Sequence, residues 1–197
     1  MFRHVTKNFT KICVPFDELT LEWYRQIMFV RVEGLIVNNK RCVQVVDDYD
    51  HDAWFNMVWH NGILVAVNRT RWPDEVTVGY DGQEYFYPIC DRAVVIDPRV
   101  SLFPPSKSEI CLHSPDWYTS IYGAANGMFT VYKEVAPLFD KLPYMKRIGE
   151  NVDEYGFPGY IYVIETIPKE DADYIFKHER TERLEERRIP RIYAPHG

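Results

Sequence analysis

Apolar and polar positions along this chain recur with more than one period, and each period predicts an element. Lys11 to Val14 is a short strand candidate that Pro15 ends. Leu21, Tyr24 and Met28 then recur at helical spacing, which predicts a helix from Asp17, the expected N-cap, to about Arg31 with Glu18 in its first turn. In this reading those three apolar residues face the core, while Arg25 and Phe29, one turn apart, share a neighbouring face. Ala53 to Trp59 and Ile63 to Arg71 are strand-like runs joined at His60-Asn61-Gly62, and Asn-Gly is a strong signal for a tight hairpin turn. A period of two along the second run places Ile63, Val65, Val67, Arg69 and Arg71 on one face.

From Trp72 to Pro115 prolines at 73, 88, 98, 104, 105 and 115 restrict the chain to short elements, with strand candidates at Ala93–Ile96 and Glu109–His113. Met128 to Tyr132 reads as a strand leading into a helix from about Val135 to Ile148, interrupted by Pro143 and stopped at Gly149. Tyr160 to Ile164 lies in an apolar, β-branched run from Gly159 to Ile167 that reads as a buried strand. Lys169 to Arg188 reads as a polar helix, and Ile189 to Gly197 as an extended tail. The succession is that of an α/β (mixed α+β) domain, a central mixed sheet flanked by helices over residues 1–168, followed by a C-terminal charged helix and tail over 169–197.

Size, charge and cysteine usage narrow the function. A chain of 197 residues with 46% hydrophobic content can bury one full core. No apolar run approaches the ~20 residues of a membrane span, and Met1 to Thr6 lacks the apolar region of a signal peptide, so a cytoplasmic protein is expected. The 4 cysteines, Cys13, Cys42, Cys90 and Cys111, form no C-x-x-C pair, which argues against both a zinc site and a disulfide framework. The net charge of −6 argues against nucleic-acid binding, and the basic residues of Arg180–Arg191 are interleaved with Glu179, Glu182, Glu185 and Glu186.

The densest chemistry is Asp47-Asp48-Tyr49-Asp50-His51-Asp52, immediately before the hairpin. Such a run can solubilise and cap a turn, or it can hold a cation or a polar substrate. Arg25 can likewise pair with Glu18 or Glu22 on its own helix, and Arg69 can be a surface cation at a strand end. In sequence order, however, Arg25 and Phe29 on the first helix, Asp47, Tyr49 and Asp50 in the acidic run, Arg69 at the end of the hairpin and Glu109 further on resemble the acyl-homoserine-lactone (autoinducer) synthases, a branch of the GNAT acyltransferase superfamily. Tyr144 to Gly149 and Glu154 to Pro158 resemble that family's C-terminal helix and the loop that enters its last strands. Val45 stands where the family has the first acid of its motif, Leu112 where it has an arginine, and no tryptophan lies around Gly34-Leu35.

The resemblance implies a GNAT-like sheet and acyl transfer from a thioester, carried by CoA or an acyl-carrier protein, to an amine such as that of S-adenosylmethionine. It implies that Arg25, Phe29, Asp47, Asp50 and Arg69 bind substrate, that Glu109 is the general base, and that backbone N–H groups of a bulged strand steady the oxyanion. No tightly bound cofactor or metal is expected. The alternative is a catalytically inactive GNAT-derived structural or binding protein, for example a phage-encoded virion component. A protein partner or a second copy is then expected to dock through residues 169–197.

Overall fold

The Asn-Gly hairpin is the centre of the architecture. In the computed structural model, which describes residues 2–5, 8–38, 45–102, 110–113, 126–142, 144–153, 155–164 and 182–183, β3 (Trp54–His60) and β4 (Ile63–Arg71) are joined by Asn61 and Gly62 at φ of 51° and 80°. Two successive positive φ values match the right-handed strand twist, and asparagine and glycine are the residues that adopt them at least cost. On one side of this hairpin lie β2 (Phe9–Pro15) and β1 (Phe2–Val5), and on the other β7 (Ile89–Val95), β10 (Gly127–Tyr132), β12 (Pro158–Ile164) and β11 (Met145–Val152). Every neighbouring pair is antiparallel except β7 and β10, which run parallel.

β13 (Glu182–Arg183) closes the sheet beyond β1, pairing with Val5 and His4. Glu182 and Arg183 belong to a segment expected as helix, and the rest of 169–197 lies outside the described residues.

One sheet face is covered by α1 (Leu21–Arg31), whose N-cap is Thr20, accepting a hydrogen bond from the Trp23 backbone at 3.1 Å. The expected cap at Asp17 instead lies in a short 3-10 turn, Phe16–Glu18. The buried stripe is Ile27, Val30 and Arg31, with Trp23 against Trp59, and Leu21 and Phe29 are each 66% exposed. The helix is therefore rotated from the expected orientation, because its packing extends past Arg31 into a π-helical stretch, Val32–Asn38. Gly34 there sits so close to β7 that a Cβ would lie 2.1 Å from Val94 Cγ1, and Trp23, Ile27, Val30 and Gly34 form the row that lets the helix approach.

Beside α1 on the same face, the hairpin of β5 (Thr77–Val78) and β6 (Glu84–Tyr85) packs Tyr85 on Met128, Ile148 and Val163. The opposite face is covered by β8 (Val100–Ser101), β9 (Ile110–Cys111) and α2 (Ala136–Phe139). The helix expected over 135–148 stops at Phe139, and 145–152 is strand. Pro143 cannot donate the helical bond, and pairing with β12 from Met145↔Ile164 to Val152↔Pro158 takes the remaining residues.

Two bulges decide which side chains reach which face. In β4, Val58 pairs with Ala66 and Trp59 with Leu64, so Val65 is an extra residue, and Val65 and Ala66 both pack on the far face with Phe9 and Ile110. The single-face row expected from Ile63 to Arg71 is broken there, while Val67 lies under α1. In β7 the register passes from Val67↔Val94 to Arg69↔Asp91, which leaves one extra residue on β7, and Arg92 has φ of 51°.

The Gly34 contact is directly testable. Gly34→Ala should lower unfolding free energy by about 1–3 kcal/mol through overpacking, and adding Val94→Ala should return part of that loss. Equal losses in the single and double variants during denaturant titration would place the strain elsewhere.

Candidate functional site

The acidic run folds as a 3-10 turn, Asp48–Asp50, with Asp47 as its N-cap accepting from the Tyr49 backbone at 3.1 Å. Side chains three apart eclipse in such a turn, so Asp47 and Asp50 point together at the sheet while Asp48 and Asp52 stay exposed. Asp50 is 1% exposed and receives two guanidiniums. Arg31, the last residue of α1, donates to it from Nη1 at 2.9 Å and Nη2 at 3.1 Å, and also reaches the Val45 carbonyl at 2.9 Å. Arg69, near the end of β4, donates to Asp50 at 3.0 Å and to Asp47.

The same Arg69 makes a two-pronged pair with its cross-strand partner Asp91, Nε to Oδ1 at 2.7 Å and Nη2 to Oδ2 at 2.8 Å. Arg92 then donates to the second oxygen of Asp47 at 3.0 Å. Consecutive strand residues ordinarily point to opposite faces. The β7 bulge is what lets Asp91 and Arg92 serve one network.

Three carboxylates, Asp47, Asp50 and Asp91, are thus matched by three guanidiniums, Arg31, Arg69 and Arg92. Burial would raise the Asp47 carboxyl, but the hydrogen bonds and charges of Arg69 and Arg92 outweigh it and hold that group below the usual carboxylate range. Arg69 is shifted the other way: burial opposes its charge, and Asp91 and Asp47 more than restore it. Tyr24 donates to Asp50 at 3.3 Å, and its phenol is raised by burial and by the Asp50 charge.

The network lies on the α1 face of the sheet, at the end of β4 and the bulge of β7. Tyr49 is exposed beside it, with the Arg71 guanidinium 3.8 Å from its ring centre, and Trp72 stacks on Phe86 at 5.6 Å. Arg71 is mostly buried, lies 3.9 Å from Asp91, and its Nε has no hydrogen-bond partner. Beneath the network, β7 and β10 are in register only at Ile89↔Met128 and Cys90↔Phe129, so the parallel strands part where the bulge begins. On the opposite face of the sheet, β3 and β4 carry a buried polar row: Asn56 and Asn68 both donate to Thr70 Oγ1, at 3.2 and 3.5 Å. His113, next to this row, is held neutral by burial and by Lys11.

Of the residues singled out in the sequence, Asp47, Asp50 and Arg69 come together. Arg25 and Phe29 do not join them, since both lie on the exposed side of α1. Glu109 lies outside the described residues. Arg31, Asp91 and Arg92 are the members that the sequence reading missed. Arg31 was legible in principle, because it continues the stripe Trp23, Ile27, Val30 by one position. Asp91 and Arg92 were not, because alternation separates them and only the bulge unites them. Among the described residues no group of three or more His, Cys, Asp or Glu is placed to hold a metal ion, and no helix is long and apolar enough to cross a membrane.

No family model and no curated protein matches the chain. Solved structures do. Escherichia coli ElaA superposes with a TM-score of 0.59 at 15% identity, over 80% of this chain and 99% of that one. An acyl-CoA N-acyltransferase from Pseudomonas aeruginosa gives 0.56 at 17% identity, over 78% and 97%. MesI, a CoA-dependent acyl-homoserine lactone synthase, gives 0.51 at 13% identity, over 86% and 95%. The chain therefore shares the fold of these structures, and its sheet is GNAT-like, as the resemblance implied.

Burial ranks the carboxylates. Asp50→Asn leaves Arg31 without a countercharge and should cost about 3 kcal/mol, whereas Asp91→Asn, at a residue 22% exposed, should cost roughly half as much. Chemical denaturation giving equal values would mean that depth does not govern this network.

The pH dependence follows from the depressed carboxyls. A group whose folded pKa lies below its unfolded value stabilises fully above the unfolded value, ~3.9 for aspartate, and loses that contribution as pH falls through the folded one. Asp47 is depressed, and Asp97, hydrogen-bonded to Arg99, is held down to about 2. Stability should therefore fall between about pH 4 and pH 2, and Asp47→Asn should shallow that slope in acid titrations followed by circular dichroism.

Proposed function

We propose that this chain transfers an acyl group from a thioester to an amine. One observation carries the reading: the parallel pair β7 and β10 parts at a bulge that carries Asp91 and Arg92 of the charge network. A thioester donor, acyl-CoA or an acyl-carrier protein, would enter between the parted strands, where β7 backbone groups past Cys90 can hydrogen-bond its amides and polarise its carbonyl. An acceptor beside the charge network would attack that carbonyl carbon with its amine. The C–N bond forms, the C–S bond breaks, and the amine proton is taken by a general base, the role expected of Glu109, as the thiolate leaves.

The charge network also bears on the acceptor. Since each described carboxylate there already holds an arginine, a purely cationic acceptor finds little uncompensated negative charge. An amine that also carries a carboxylate fits better, with its carboxylate toward the Arg71 guanidinium and its ammonium toward the exposed edge of Asp91. The aminoacyl end of S-adenosylmethionine has this chemistry, as do free amino acids.

The inactive, partner-binding reading rests on the same saturation of carboxylates, which leaves a network already satisfied without ligand. In that reading residues 169–197 dock on another protein or a second copy, in the cytoplasm or in a virion. Thiol release separates the two. Incubated with acyl-CoAs and acyl-carrier-protein thioesters of graded chain length, the protein should release thiol only when S-adenosylmethionine or an amino acid is added. No release with any pair, together with no calorimetric binding of a thioester, would favour the inactive protein.

A further inference from the structure

The bulge in β7 is occupied by an arginine where the backbone favours glycine. Arg92 has φ of 51°, and among the described residues only Asn61, in the hairpin turn, shares a positive φ without being glycine. Asparagine can hydrogen-bond locally in that conformation; arginine has no such local compensation and must be held from outside. What holds it is visible in its contacts. Arg92 Nη2 donates to Asp47 Oδ2 at 3.0 Å, and its side chain also hydrogen-bonds Tyr155 of the β11–β12 turn.

Asp47 is itself fixed. Its Oδ1 takes Arg69 and the Tyr49 backbone, and it caps the 3-10 turn that Asp50 locks to Arg31. Both oxygens of Asp47 are therefore committed to the protein, which suits a tether better than a substrate ligand. The bulge also begins one residue after Cys90, the last β7 residue in register with β10. If Arg92 relaxed to an extended conformation, its side chain would swing to the opposite face and the extra residue would be lost from the Val67↔Val94 register.

We propose that Asp47 is a positioning residue: through Arg92 it holds the β7 bulge in its left-handed conformation, and so keeps the parted edge of β7 shaped to bind the carbonyl and amide groups of the thioester donor. This rests on the acyltransferase reading for the identity of the donor. The tether itself does not.

Arg92→Gln and Arg92→Gly lose the same ion pair but differ in backbone preference, since only glycine takes a positive φ at little cost. Asp47→Asn removes the tether from the other end, and Asp47→Asn with Arg92→Gly removes both the tether and the need for it. Backbone chemical shifts of isotopically labelled protein, without ligand, report the conformation of residue 92. They should show it leaving the left-handed region in Arg92→Gln and Asp47→Asn and staying there in both glycine variants. Calorimetric affinity for a non-reactive acyl-CoA thioether should fall about tenfold or more in Arg92→Gln and Asp47→Asn, and the glycine variants should recover most of it. Loss of the ion pair alone cannot produce that order.

A left-handed residue 92 in Arg92→Gln would overturn the proposal. So would a double variant binding as weakly as Asp47→Asn, which would make Asp47 a direct ligand. Should Asp47→Asn fail to fold, the two Arg92 variants decide, because they leave the Asp47–Arg69 pair in place. A wild type that binds no acyl thioester overturns the acyltransferase reading instead, and the chemical shifts then decide the tether alone.

Discussion

Asp50, buried between the guanidiniums of Arg31 and Arg69, is the interaction on which the rest of the architecture depends. It joins three pieces that are distant in sequence: the end of α1, the acidic turn and the end of β4. Removing such charges from water costs several kcal/mol per ion, and their attraction recovers this only when every donor and acceptor is well placed. Asp50 meets that condition with two guanidinium partners and a tyrosine hydroxyl, while Arg31 keeps one buried nitrogen, Nε, without a hydrogen-bond partner. An apolar cluster of equal volume could be as stable, so the network's distinctive contribution is geometric: it admits one rotation of α1 and one placement of the turn. That rotation directs Arg31 inward and leaves Arg25 and Phe29 outside.

The second constraint is the β7 bulge. A regular strand would offer the charge network either Asp91 or Arg92. The extra residue supplies both, and with them the charge balance closes: Asp91 satisfies Arg69 from below while Arg92 satisfies Asp47 from the side. The same irregularity lies where β7 parts from β10. The electrostatics of the network and the opening between the strands thus share one backbone feature, and a change to either would be felt by the other.

The elements set by local chemistry were legible in the sequence. Asn61-Gly62 specified its turn, and β3, β4 and the core of β12 follow from their apolar runs. Elements set by tertiary contact were not. Two apolar rows compete on α1, and the choice between them is made by Gly34 against Val94, some distance beyond the helix as read. Residues 145–152 carry a pattern compatible with helix, and β12 recruits them into the sheet. In the site, Asp47, Asp50 and Arg69 were found because they are dense or end an apolar row. The same density suggested an anionic pocket, whereas the partners that neutralise it, Arg31 and Arg92, come from a helix end and a bulge that periodicity does not mark.

The departures from the autoinducer-synthase pattern become coherent at this level. No tryptophan can stand at Gly34, because even a methyl group there would collide with Val94. Leu112, where the resemblance would place an arginine, is fully buried in the cluster of Phe9, Val58 and Ile110, an environment in which a guanidinium would have to find a countercharge. Both positions are committed to packing. Positive charge reaches the acidic turn instead from Arg31 and Arg92, from the other end of α1 and from the middle of a strand. The sheet is thus shared with the structures it superposes on, while the charges above it come from places in the chain that the resemblance does not mark, and fold likeness alone does not carry a site.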